Sequence, residues 1–241
     1  MWQNVRYGRD NNNNINFFVS QEFREGVIQV ASNPSALAAI KADGSVVTWG
    51  DGLSCGDSSS VSEKLQEGVA QVVCCCRAFA AIKADGSVVT WGDALSGGGG
   101  SSVSEKLQGG VVQVISSEGA FAAIKDDGSV VTWGRETDGG DSSAVAVQLS
   151  DGVVQVISSL FAFAAIKADG SVVTWGDGYS GGDSSSVSWK LQEGVVHVIS
   201  SGHAFAAIKV DGSVVTWGND FSGGDSSIVS QRLQEGVVAL A

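Results

Sequence analysis

One proline in 241 residues, two histidines, and 14 lysines and arginines against 26 acids are what the sequence holds least of. With 33 glycines beside that single proline, the chain reads as rich in tight turns and not as disordered. The shortage of basic residues, and a net charge of −12, argue against direct binding to a nucleic-acid backbone, which needs clustered Lys and Arg to displace counterions. No run approaches the roughly 18 apolar residues of a membrane span. The opening "MWQNVRYGRDNNNNINFF" has no apolar core behind a basic start, so no secretory signal is expected. Four cysteines, at 55, 74, 75 and 76, imply no disulfide framework, because adjacent Cβ vectors diverge on extended backbone. That usage fits a reducing, cytoplasmic setting.

What is there is a repeat. Trp49, Trp91, Trp133, Trp175 and Trp217 stand 42 residues apart, and Gly26, Gly68, Gly110, Gly152, Gly194 and Gly236 keep the same interval. Such a period marks one supersecondary unit per copy. Within it, "GVVQVIS" at 110–116 is β-branched and nearly all apolar, as in a strand covered on both faces (strand a). "AFAAIK" at 120–125 and "SVVTWG" at 129–134 flank Asp127-Gly128, a type I′ hairpin signal (strands b and c). The polar stretch at 142–149 reads as a fourth, edge-like strand d. Alanines of strand b, such as Ala80 and Ala81, would let sheets approach, while Phe79 and Trp91 fill the wider gaps.

Forty-two residues suit a four-stranded propeller blade. Shifting residues 1–25 by one period places Tyr7-Gly8 on Trp49-Gly50 and Val19 on Val61, a worn copy of strands c and d. The expected fold is therefore all-β, a six-bladed β-propeller of 42-residue repeats whose N-terminal blade lacks a strand. Phasing each blade b-c-d-a makes the missing strand an edge strand, with blades at about 1–31, 32–73, 74–115, 116–157, 158–199 and 200–241.

The succession from Val195 to Gly218, "VVHVISSGHAFAAIKVDGSVVTWG", resembles the regulator of chromosome condensation repeat family. The likeness covers essentially the whole chain through its five copies. It implies a propeller, seven-bladed in that family, whose members include a nucleotide-exchange factor for a small GTPase, domains attached to ubiquitin ligases, and a plant ultraviolet-B receptor. Here the repeats are shorter, "SGGDSS" stands where the family carries Gly-Gln-Leu-Gly, and the family's histidine survives only at His203. Fold likeness does not choose among those functions.

The candidate chemistry is thin. Gly52–Gly56 and Gly178–Gly182 match G-x-S-x-G, but they follow strands in Gly/Ser-rich loops instead of opening a helix, with only His197 and His203 to serve as bases. His197 fills a slot held elsewhere by Gln29, Gln71, Gln113 and Gln155, a structural polar position. Loop acids such as Asp51 with Asp57, Asp177 with Asp183, and Asp220 with Asp225 raise calcium, although Gly99 and Arg135 interrupt the pattern and turn capping explains the same letters. No other cofactor is expected. Cys74–Cys76 lack spaced partners for a soft metal, and the periodic tryptophans read as core, not as a light sensor.

Copies differ from one another at two places: after strand a (Pro34-Ser35, Cys76-Arg77, Glu118-Gly119, Leu160-Phe161, Gly202-His203) and after strand c (Leu53, Leu95, Thr137, Tyr179, Phe221). Alternating strand directions put both at one end of the repeat, opposite the constant Asp-Gly turns. A variable face on a constant scaffold is the mark of an interaction surface, with Phe161, Tyr179, Phe221, His203 and the exposed candidate Trp189 as contacts for a protein partner. The alternatives are a hydrolase or lyase with a pocket on that face, and a calcium-stabilised repeat.

Overall fold

A computed structural model describes residues 5–9, 15–19, 26–99 and 103–237. Seventeen strands are numbered in chain order. Strands β1 (Val5–Arg9) and β2 (Ile15–Val19) form an antiparallel hairpin, Val5 opposite Val19. Strands β3 (Val27–Ser32), β4 (Ala36–Lys41) and β5 (Val46–Gly50) then form a three-stranded antiparallel sheet. The same sheet recurs as β6 (Val69–Cys74), β7 (Ala78–Lys83) and β8 (Val88–Gly92), and as β9 (Val111–Ser116), β10 (Ala120–Lys125) and β11 (Val130–Gly134). Strands β12 (Val153–Ser158), β13 (Ala162–Lys167) and β14 (Val172–Gly176) make the fourth, and β15 (Val195–Ser200), β16 (Ala204–Lys209) and β17 (Val214–Gly218) the fifth.

Three features depart from the sequence reading. Each sheet groups strand a with the b and c that follow it, so unit boundaries fall ahead of strand a and not between a and b. The a–b link is short enough to be a tight turn: Asn33 Oδ1 accepts from the amides of Ser35 (3.0 Å) and Ala36 (2.9 Å). The expected strand d is absent from these sheets. Its place is taken by 3₁₀ turns at Ser59–Leu65, Ser143–Val145, Ser185–Lys190 and Ser227–Leu233. The cause is local, since Asp57, Asp141, Asp183 and Asp225 each accept the amide of the serine two residues on at 2.8 Å, offering the backbone a partner other than a ladder. The N-terminal hairpin follows the repeat only in part: β1 falls where a strand c is expected, but β2 falls where later units turn.

The third departure is the Asp-Gly turn. Gly44, Gly86, Gly128, Gly170 and Gly212 have φ between 76° and 78°, whereas the preceding aspartates are not left-handed. Lys125 O accepts the amide of Gly128 and Asp127 Oδ1 accepts that of Ser129, both at 2.9 Å, so the loop is a three-residue turn closed by glycine, not a type I′ pair. The serine bonds hold Asp43, Asp85, Asp127, Asp169 and Asp211 below the ordinary carboxylate range.

Register makes the wedges. Phe121 pairs with Trp133 across β10 and β11, and their rings stack at 5.2 Å on one face of the sheet. The opposite face of each b strand presents alanine, so Phe121 and Trp133 pack with Ala78, Ala80 and Ile82 of the preceding sheet, under Leu107 from the connecting segment. The arrangement recurs at the next two seams, with Phe163–Trp175 and Phe205–Trp217 stacked at 5.3 and 5.4 Å. Small-against-large packing is what the alternation of alanine and aromatic residues implied. Along the edge that strand a forms in each sheet, Ser200 Oγ donates to Ser158 O, Ser158 Oγ to Ser116 O, and Ser116 Oγ to Cys74 O, at 2.6 to 2.8 Å and always 42 residues apart.

The first sheet differs in cover. Val30 is 52% exposed, while its counterparts Val72, Val114, Val156 and Val198 are 2% to 4% exposed beneath the preceding sheet. The first seam also carries a backbone anomaly. Cys55 stands where other copies have Gly97, Gly139, Gly181 and Gly223, all with φ between 92° and 102°; its own φ is 147°, the only positive value off glycine among the described residues. Trp175 and Trp217 donate to the carbonyls of Gly139 and Gly181, whereas Trp91 Nε1 and Trp133 Nε1, in the seams that hold Cys55 and Gly97, are buried without a partner. Cys55→Gly is expected to stabilise the protein by about 1–2 kcal/mol through relief of this conformation. Urea unfolding checks it, and an unchanged midpoint would show that the turn stores no strain.

Candidate functional site

The two variable loops meet at one end of the sheets, as their positions implied. In each unit the residue after strand c donates its amide to the loop after strand a: Asp93 to Arg77 O, Arg135 to Gly119 O, Asp177 to Phe161 O and Asn219 to His203 O, each at 2.9 Å. Ser117, Ser159 and Ser201 tie the same loops a second time, donating at 2.8 Å to carbonyls 21 residues on. Cys75 takes that role in the second unit, its thiol on Ser96 O at 3.4 Å and pushed up to about 11 by burial. All four cysteines are free thiols.

On this tied base the second residue of the c-loop turn points outward: Leu95 is 76% exposed, Tyr179 64% and Phe221 99%. The next residue is anchored inward, with Ser96 and Ser180 at 1% and 0%. Asp177 caps the Gly178–Ser180 turn, its Oδ2 accepting from Ser180 N at 2.9 Å and Ser180 Oγ at 2.7 Å. The third unit inverts the pairing: Asp138 is buried and held by Arg135 at 3.3 Å and Thr137 at 2.8 Å, and a side chain at Gly119 would strike its carboxylate.

The structure brings Phe161, Tyr179 and His203 together. His203 lies between the two rings, with centroids 5.7 Å from Phe161 and 5.8 Å from Tyr179, and its Nδ1 is 2.9 Å from Ser180 Oγ across the seam between the fourth and fifth units. Phe221 stands one unit along from Tyr179 on the same rim. Trp189 does not join them; it lies in the 3₁₀ turn Ser185–Lys190, 73% exposed, beside Lys190, whose Nζ is 5.1 Å from its ring centroid. His197 lies on β15 opposite Ile208.

An aspartate, a serine and a histidine thus converge, but in the wrong order for nucleophilic catalysis. The carboxylate binds the serine instead of orienting the histidine, and the serine hydroxyl is fully buried, beyond the reach of a substrate carbonyl. The sequence did not show this network, because its members lie 23 residues apart in neighbouring units. Of the loop acids raised for calcium, Asp57, Asp177, Asp183 and Asp225 accept bonds within their own turns, and among the described residues no three His, Cys, Asp or Glu side chains converge on a common point.

No family model matches the chain, and no curated protein matches it in sequence. Solved structures do. Human WBSCR16 superposes with a TM-score of 0.50 at 16% identity, over 87% of this chain and 65% of that one. The fold is propeller-like. Yeast RCC1 (Prp20), in a complex with Kap60, gives 0.49 at 14% identity, over 80% and 56%. The ectodomain of the Arabidopsis thaliana receptor kinase ACR4 gives 0.46 at 16%, over 85% and 70%. The chain therefore spans less than two thirds of the length of the first two, and at this identity the likeness extends to the fold alone. Among the described residues no helix is long and apolar enough to cross a membrane.

Proposed function

We propose that this protein is a non-enzymatic scaffold that captures a protein partner on the rim formed by its variable loops. The observation that carries this is the set Leu95, Tyr179 and Phe221: large exposed side chains at one equivalent position of the second, fourth and fifth units, in the first two of which the next residue, Ser96 or Ser180, is anchored inward. Exposed aromatics on rigid supports lose little entropy when covered, which is why such residues anchor interfaces. The variability of the rim, beside constant wedges and constant Asp-Gly turns, supports the same reading.

The reading includes a closed ring of six units, the N-terminal hairpin serving as the sixth. Its support is the uncovered Val30 face, which has the composition that every later sheet buries against its predecessor. A cytoplasmic setting, in which the four thiols stay reduced, goes with it.

The Tyr179→Ala/Phe221→Ala double variant should leave the melting temperature within about 2 °C of wild type, since both side chains are exposed. It should also lose whatever protein the wild type retains on an affinity column. Equal retention by the two proteins would remove the rim from the account.

A further inference from the structure

The corner around His203 has a chemical polarity that follows from proton bookkeeping. Ser180 has one hydroxyl proton, and the carboxylate of Asp177, 2.7 Å away, takes it. Ser180 Oγ then meets His203 Nδ1, at 2.9 Å, only as an acceptor, so Nδ1 carries the hydrogen. In the neutral imidazole this leaves Nε2 a bare acceptor. Nε2 has no hydrogen-bond partner among the described residues and is not a buried unsatisfied atom, so it faces solvent, flanked by Phe161 and Tyr179.

The surrounding charge has one sign. The variable loops of the fourth and fifth units carry Asp177 and the exposed Asp220, and neither lysine nor arginine. The nearest cation in sequence outside the strands, Lys190, stands over the Trp189 ring at 5.1 Å, and Arg135 of the third unit is tied to Asp138 at 3.3 Å. Two aromatic faces, a lone-pair nitrogen and flanking carboxylates in a chain of net charge −12 are complementary to a planar cation that donates hydrogen bonds.

Resting on the rim reading above, we propose that the Phe161–Tyr179–His203 corner receives an arginine side chain from a basic segment of the partner, with Nε2 of His203 accepting a guanidinium hydrogen and Asp220 supplying charge. An acidic partner would meet two carboxylates and an acceptor with no donor to offer. A purely apolar one would leave Nε2 without its solvent partner.

The test is fluorescence anisotropy with dye-labelled, end-capped octapeptides alternating glycine with arginine, lysine, glutamate or leucine, at fixed salt. Wild-type protein should bind the arginine peptide most tightly. His203→Phe, which keeps a ring but removes the acceptor, and the surface change Asp220→Asn, which leaves packing untouched, should each weaken it about five- to tenfold. Asp211→Asn, a carboxylate on the opposite, Asp-Gly end, should not. Absent binding of the arginine peptide, equal binding by all variants, or equal weakening by Asp211→Asn would overturn the proposal, the last by showing only a diffuse field. A leucine or glutamate peptide held by wild type and lost on Tyr179→Ala would keep the rim as a binding surface while eliminating an arginine partner.

Discussion

Trp133→Ala is expected to destabilise the protein by about 3–5 kcal/mol, the range for removing a buried indole from a seam that cannot collapse. Trp133 is 3% exposed and stacked on Phe121, and the two pack against Ala78, Ala80 and Ile82 of the neighbouring sheet. Those alanines have no side chain that could swing into the gap, so the cavity persists. The counterpart Trp49 is only partly buried, on the face of the first sheet that the proposed sixth unit would cover; the closed ring therefore expects Trp49→Ala to cost about as much as Trp133→Ala, and an open first sheet only about 1–2 kcal/mol. Urea unfolding followed by circular dichroism measures both. Equal losses would mean that a further unit covers the first sheet as fully as the others, which is the closed-ring prediction in another form.

The indole nitrogens refine the comparison. Trp175 Nε1 donates to Gly139 O at 3.1 Å, whereas Trp133 Nε1 is buried without a partner. Phenylalanine removes the N–H in both cases, but at 175 it also orphans a carbonyl, while at 133 it removes an unsatisfied donor. Trp133→Phe should therefore be milder than Trp175→Phe by about 1 kcal/mol.

Which parts of this structure were legible in the sequence follows from what each depends on. The wedges were legible because a 42-residue period with fixed Phe, Ala and Trp positions leaves one way to bury all of them. The three strands a, b and c, and the meeting of the two variable loops at one end, came from the same pattern. The segment read as strand d was misjudged because Ser and Asp alternate with Val there much as in an edge strand; what decides is that each Asp accepts the amide two residues on, an interaction invisible to periodicity. Type I′ geometry failed at Asp127 for a related reason, since its carboxylate prefers the Ser129 amide and leaves positive φ to Gly128 alone. Tyr179, Phe161 and His203 were singled out by variation between copies. Their convergence, and Ser180 as the fixed point beneath them, depends on how two units abut, which composition does not encode.

The second large effect separates backbone strain from wedge packing at a single residue type. Gly139 has φ 95°, and a Cβ there would stand 2.5 Å from Phe163 Cδ2 and 2.7 Å from Cε2 of the next sheet. Gly223 has nearly the same backbone, φ 102°, with no neighbour within 4 Å of a built Cβ. Gly223→Ala should therefore show the left-handed penalty alone, about 1–2 kcal/mol. Gly139→Ala adds the cost of pushing a stacked, fully buried ring, about 1–3 kcal/mol more, for a total of about 3–5 kcal/mol. Because units in such chains stabilise one another through nearest neighbours, the Gly139 variant should also speed amide exchange first in β10 and β13, on either side of its seam. A loss at Gly223 as large as at Gly139 would place a packed neighbour against the last unit, and a loss at Gly139 no larger than at Gly223 would mean that Phe163 yields freely and the seam is looser than its stacked rings imply.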